Sequence, residues 1–208
     1  MALFADRSAA GRELAESLRP WAGQDAVVFG IPRGGVVVAA SVARSLGLPL
    51  AAAVVRKLGA PSHEEFAVGA IAGDVRVVND AALRAGHVTP EQLAFVEDME
   101  RVELERRGAL FHTDDRVEGI TAIVVDDGIA TGATATAACL SLRSRGAETI
   151  VLAAPVAPVD WRPERDVMDE YVCPHRVRDF WAVGQFYDDF TQTSDAEVVE
   201  LLSHDLHE

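Results

Sequence analysis

The sequence predicts an α/β chain: a doubly wound, mostly parallel sheet flanked by helices, with a small C-terminal or hood lobe. Three observations lead there. Short apolar runs, too brief for helices, recur at Ala26–Gly30, Leu50–Val55, Ile120–Val125 and Thr149–Ala154. Longer stretches of helical character lie between them, at Val36–Leu46 and Thr131–Arg145. The junctions Pro32-Arg33-Gly34-Gly35 and Gly128 to Gly132 are made of glycine and small residues, as strand-loop-helix units require.

In chain order, Asp6 caps a first helix with Ala10, Leu14 and Leu18 at helical spacing, ended by Pro20. Ala26–Gly30 is a strand, Val36–Leu46 a helix closed by Gly47, and Leu50–Val55 a second buried strand ending at Arg56-Lys57. The stretch from Leu58 to Gly86 is less regular. Strands at Phe66–Ile71 and Val75–Val78, joined by Ala72-Gly73-Asp74, suggest a hairpin. Thr89-Pro90-Glu91-Gln92 has the capping-box form and starts a charged helix to about Leu110, with Leu93, Val96, Met99 and Val102 on one face. After the strand, helix and strand between Ile120 and Ala154, prolines and aromatics break the pattern until a short helix at Ser194–Leu202. No linker is evident. The expectation is one domain over 1–208, with a core at about 20–158, a flexible hairpin-and-helix insertion at about 58–116, and a hood at about 159–208 together with 1–20.

A chain of 208 residues with 49% hydrophobic content can bury a substantial core. With 33 acidic against 19 basic residues its formal charge is -14, which would repel a polyphosphate backbone, so nucleic acid is a poor partner. Charges among the first residues interrupt any signal-peptide core, and no run of about 18 apolar residues occurs; a cytoplasmic protein with no membrane contact is expected. Cys139 and Cys173 lack a ligand pattern and read as buried thiols. Lys57 is the only lysine, which singles it out in a chain that otherwise uses arginine.

The most informative segment is Ile123-Val124-Val125-Asp126-Asp127-Gly128-Ile129-Ala130-Thr131-Gly132-Ala133-Thr134. A buried strand empties into two acids and then into a small-residue turn that opens a helix. Free N–H groups and the helix dipole at such a start can hold a phosphate without a lysine. Thr131 and Thr134 add hydroxyl donors, and acids on the strand-end side can accept hydrogen bonds from a sugar diol. The alternative is an ordinary strand-to-helix turn with Asp as a cap. No Gly-Lys-Ser/Thr follows a glycine turn, which excludes a Walker-type loop.

This segment closely resembles the signature of type I phosphoribosyltransferases, which bind 5-phosphoribosyl-1-pyrophosphate (PRPP). Gly128 stands where most members carry an aliphatic residue or serine, but a subgroup of predicted phosphoribosyltransferases with unassigned acceptor shares Asp-Asp-Gly-Ile-Ala-Thr-Gly. The resemblance implies that Asp126 and Asp127 hold the ribose 2- and 3-hydroxyls and meet Mg2+ indirectly, through PRPP or water. It gives the 5-phosphate to Gly128, Ile129, Ala130, Thr131, Gly132, Ala133 and Thr134. It gives pyrophosphate to Arg33, Gly34 and Gly35, whose loop in the family often contains a non-proline cis peptide, and to Arg56 and Lys57. On local sequence alone Arg33 could be a solvated turn residue and Arg56-Lys57 an exposed basic pair.

The family also keeps a mobile loop where His63-Glu64-Glu65 lies, and a variable hood over the acceptor base. The aromatic-rich run Phe180 to Phe190 fits that hood: aromatics could stack on a flat heterocycle while Val183 and Gln185 backbone groups read its edge, with Phe186 and Tyr187 beside them. Such a cluster is as readily core. The activity implied is Mg-dependent displacement of pyrophosphate from PRPP by a nitrogenous base, with Asp126, Asp127, Arg56 and Lys57 as the central residues. The rival readings are a non-catalytic PRPP-sensing regulator and a relative that cleaves PRPP or a nucleotide. Many relatives are dimers, so the resemblance also allows a homodimer.

Overall fold

The computed structural model describes residues 2–61, 63–111, 116–164 and 166–204, without the side chains of 64, 65 and 204. The reading that falls on the side chains of Glu64 and Glu65 lies outside the described residues. The elements in chain order are α1 (Arg7–Ser17), β1 (Ala26–Gly30), α2 (Gly34–Leu46), β2 (Leu50–Ala52), β3 (Arg56–Ala60), β4 (His63–Ala72), β5 (Val75–Val78), α3 (Asp80–Ala85) and α4 (Pro90–Phe111). They continue as β6 (Thr121–Val125), α5 (Ala133–Ser144), β7 (Thr149–Ala153), β8 (Val156–Pro158), β9 (Glu170–Val172), β10 (His175–Val177) and α6 (Asp195–His204).

The central sheet has the order β2-β1-β6-β7-β9 and is parallel throughout. Its inner strands are apolar at nearly every position because both faces are covered. Side chains alternate: Val27, Phe29, Val124 and Leu152 pack under α5 with Ala138 and Leu142, while Val28, Ile123 and Val151 pack under α1 and α2 with Leu14, Val38 and Val42. Phe29 is wholly buried, and its truncation to alanine should cost about 3–5 kcal/mol.

Several expectations need correction. The second strand stops at Ala52, because β1 ends at Gly30 and offers no partner beyond the Gly30–Ala52 register. Arg56 and Lys57 therefore do not end that strand; they open β3, which pairs antiparallel with β4 in a separate three-stranded sheet completed by β5. The expected hairpin forms its other half, turning at Gly73 and Asp74. Asn79 caps α3, a helix the irregular sequence did not announce.

On α4 the buried residues are Leu93, Leu104 and Phe111, whereas Met99 and Val102 are 62% and 68% exposed. Each three-residue step falls about 60° short of a full turn, so a run spaced by threes has drifted to the opposite face by Val102. The sheet also continues past Pro155, where β9 adds a parallel edge strand to β7 and β8 pairs with β10. Cys139 is buried, which pushes its thiol up to about 12, but Cys173 is only partly so. Among the described residues no helix is long and apolar enough to cross a membrane.

Candidate active site

β1 and β6 are neighbours in the sheet, yet the chain leaves them in opposite directions: β1 leads to α2 on one face, β6 to α5 on the other. The crevice between their carboxyl ends is the topological switch point, where open parallel sheets place ligands. The two loops that meet there are the ones singled out by sequence. The first contains a cis peptide between Pro32 and Arg33, and Ile31 N–H donates to Val125 O at 2.9 Å, tying it to the end of β6.

The helices that leave this crevice differ from the others. α1 starts with the Asp6 carboxylate accepting from Ala9 N at 2.7 Å, α3 with Asn79 accepting from Ala82 N at 3.0 Å, and α4 and α6 with capping boxes at Thr89/Gln92 and Ser194/Glu197. α2 and α5 start at Arg33 and Gly132 with no side-chain cap. Their first-turn N–H groups thus remain available to a ligand at the crevice. α5 begins at Ala133, two residues later than periodicity suggests, because Gly132 takes the left-handed conformation (φ 81°) that only glycine adopts readily. Ala130 and Thr131 are exposed and Gly132 is half-buried, and Trp161 packs on Gly132 while its Nε1–H donates to Thr131 O at 3.1 Å.

Asp126 and Asp127 sit at the end of β6. Asp127 N–H donates to the Asp126 carboxylate at 2.9 Å, Arg7 Nε–H donates to Asp127 Oδ2 at 2.8 Å, and Tyr187 OH donates to Asp127 O at 2.6 Å. Desolvation raises the pKa of Asp126 well above the carboxylate range, and the neighbouring Asp127 charge adds to it. Asp127 is raised by the same desolvation but held back by Arg7. Lys57 is close enough to lower both. Arg7 and Lys57 offset part of the cost of placing two acids side by side, but for Asp126 desolvation and the neighbouring charge outweigh them and favour the protonated form.

Beside it lies a cavity of about 760 Å³ lined by Pro32, Arg33, Arg56, Lys57 and Thr134, with Phe95 and Met99 at its α4 wall. It joins the pyrophosphate candidates to the last residue of the phosphate turn. Two of the cations meet carboxylates: Arg56 Nε lies 2.6 Å from Glu100 Oε2, and Arg33 Nη1 3.8 Å from Asp195 Oδ1. Lys57 is exposed and, among the described residues, has no acid within ion-pair distance. A second cavity of about 400 Å³, between α4, α5 and the β4–β5 turn, contains none of the candidate residues.

The hood reaches the site through Val183, which fills the space a side chain at Gly128 would need; a Cβ there would stand 2.6 Å from Val183 Cγ1. Phe186 and Tyr187 are buried, Phe186 against Phe180 and Tyr187 against Phe4 and Phe190. The Gln185 side chain closes its own turn, accepting from Trp181 N and Ala182 N and donating to Asp179 O. The most exposed ring among the described hood residues is Trp181, 90% exposed. Arg7, Trp161, Glu100 and Asp195 reach the crevice only through tertiary contact, and nothing in their local sequence marks them.

A family model described as the phosphoribosyl transferase domain matches residues 5–191. Two Mycobacterium tuberculosis proteins, provisionally named phosphoribosyl transferases MT0597 (strain CDC 1551 / Oshkosh) and Rv0571c (strain ATCC 25618 / H37Rv), are 49% identical over 207 residues, covering 97% of this chain but 47% of their own length. The chain therefore spans about half the length of these curated relatives. The crystal structure of TT1426 from Thermus thermophilus is 38% identical, with a TM-score of 0.77 over 98% of this chain and 99% of that one. A Neisseria gonorrhoeae protein crystallised with ppGpp shares the fold at 17% identity and a TM-score of 0.51, covering 95% of this chain and 92% of that one. With the doubly wound sheet, the acid pair at its switch point and a match over most of its length, this chain belongs to the phosphoribosyl transferase domain family.

Proposed function

We propose that this chain binds PRPP at the β1–β6 switch point and transfers its 5-phosphoribosyl group to a nitrogenous base, releasing pyrophosphate. The observation that carries this reading is the convergence of two uncapped helix starts on one partly buried acid pair. An anion at α5, a diol at Asp126 and Asp127, and a second anion near α2 with Arg33, Arg56 and Lys57 together describe a sugar with a phosphate at one end and a pyrophosphate at the other.

The chemistry asked of these residues is positional and electrostatic. Displacement at C1 passes through a cation-like ribosyl group and needs no covalent protein intermediate. The α5 amides and Thr134 orient the sugar through its 5-phosphate, while Arg33, Lys57 and the α2 amides stabilise charge on the departing pyrophosphate. The hood fits a flat acceptor: Val183 is seated against Gly128, and the exposed Trp181 ring can stack on a heterocycle. Two carboxylates are too few for Mg2+, which takes about six oxygen ligands, but a nearby cation would favour their ionised forms and would take its remaining ligands from PRPP and water. Asp126 and Asp127 would hold it indirectly, and bound Mg2+ would neutralise pyrophosphate oxygens.

The test is incubation with PRPP, Mg2+ and a panel of purines, pyrimidines and pyridine carboxylates, following pyrophosphate. One acceptor class should release pyrophosphate together with an equal amount of nucleotide. Tight PRPP binding with no turnover would favour a sensor, release without any acceptor a cleaving enzyme, and failure to bind PRPP would end this reading.

A further inference from the structure

We propose that Arg7 is a positioning residue for the sugar-binding acids: it commits one oxygen of Asp127 and thereby decides which carboxylate oxygens face the ribose diol. This rests on the PRPP reading given above. Arg7 is the first residue of α1, far along the chain from Asp127, and the two side chains are only 11% and 15% exposed.

Two nitrogens and one face of its guanidinium are engaged. Nε–H donates to Asp127 Oδ2 at 2.8 Å, Nη1–H donates to Thr191 O at 2.9 Å, and its plane covers the Phe190 ring at 3.8 Å from the centroid. A buried ion pair is retained at a desolvation cost, so this degree of engagement points to a fixed orientation rather than a chance surface contact. The backbone before it is locked as well. Leu3 N–H and Phe4 N–H both donate to Phe186 O at 2.9 Å, Asp188 N–H and Asp189 N–H donate to Phe4 O and Ala5 O at 2.9 Å, and Asp6 caps α1. The N-terminal arm is thus sewn to the hood, and Arg7 carries that joint to the acids.

The pyrophosphate loop meets the same contact. A Cβ on Gly34 would stand 2.6 Å from Arg7 Nε and overlap Asp127 Oδ2, so a side chain there would displace the ion pair from its present position. The consequence is an allocation of oxygens. Asp127 Oδ2 is taken by Arg7, and Asp126 Oδ1 accepts from Asp127 N. Asp127 Oδ1 and Asp126 Oδ2 have no hydrogen-bond partner among the described residues, which leaves two acceptors for two neighbouring hydroxyls. Without Arg7 the Asp127 carboxylate is free to rotate, and the match between two oxygens and two hydroxyls is lost.

The experiment compares calorimetric affinities for ribose 5-phosphate and 2-deoxyribose 5-phosphate in the parent protein, Arg7→Met, Arg7→Lys, Asp127→Asn and the Arg7→Met/Asp127→Asn pair. The parent should prefer the ribose form. Arg7→Met should reduce that preference about tenfold, equivalent to one hydrogen bond to a charged group, and Arg7→Lys should recover part of it. In the Asp127→Asn background Arg7→Met should change the ratio no further. Equal weakening of both sugars, or an unchanged ratio in folded Arg7→Met, overturns the role. Arg7→Lys keeps the buried cation and so provides a folded variant if Arg7→Met is unstable; an unchanged preference with no loss of affinity in Asp127→Asn would then overturn it. If the parent binds neither sugar phosphate nor PRPP, the PRPP reading itself fails, a result distinct from loss of discrimination alone.

Discussion

The crevice and the β3–α4 layer beside it are built on opposite electrostatic terms. In the layer, helix starts are capped and charges are matched: Glu97 takes both Arg76 and Arg101, and Glu103 takes both Arg106 and Arg107. In the crevice two helices start uncapped, two acids crowd each other, and Lys57 acts on them from beyond ion-pair distance. A cap contributes about 1 kcal/mol and an uncompensated buried carboxylate is destabilising, so the crevice forgoes stability that the layer keeps. On the function proposed above, an anionic, hydroxyl-bearing ligand would supply the partners that these groups do not find within the protein.

The comparison breaks most visibly if the acids are dispensable. Converting Asp126 and Asp127 together to Asn should lower PRPP affinity at least a hundredfold by calorimetry, since each removes a hydrogen bond to a charged group contributing about 1.5–3 kcal/mol. Undiminished affinity would defeat the assignment.

The same acids should limit stability in the free protein. The pKa of folded Asp126 lies above its unfolded value, so between the two the folded chain holds more protons and stability falls as pH rises. In Mg-free buffer Asp126→Asn should therefore melt higher than the parent at pH 8, by at least about 2 °C for a change near 1 kcal/mol. The gap should close as pH falls toward about 4, the unfolded carboxyl value. A lower melting temperature at pH 8 would show that the charge is compensated after all.

Thr89→Ala tests the layer, removing the α4 cap. It should cost about 1 kcal/mol of stability in denaturant melts while PRPP affinity stays unchanged. An equal drop in affinity would mean the two regions are not separable. The smallest effect is expected for Glu100→Gln, which frees Arg56 from its carboxylate. Pyrophosphate affinity should rise about two- to fivefold at low salt, in keeping with a partly exposed pair contributing under about 1 kcal/mol. No change would place Arg56 outside the anion site.

Much of this was legible along the chain because the physics involved is local. Apolar runs marked the inner strands, Asp6 and Thr89 marked helix starts, and the run from Ile123 to Thr134 carried strand, acids and turn in one piece. Errors arose where pairing partners decided the outcome. The run at Leu50–Val55 is apolar to its end, but β1 has no residues left to pair with Val54 and Val55. Glu170–Val172 is too short and polar to be recognised, and it becomes a strand because β7 presents an open edge.

The sequence alone therefore determined the fold class, the acid pair and the small-residue turn, since each is encoded by neighbours within one helix turn or one strand. Only the tertiary structure decided that Arg7 holds Asp127, that Trp161 covers Gly132, and that Glu100 meets Arg56. Those contacts join segments tens of residues apart, and no local propensity records which distant side chain will arrive at a given crevice.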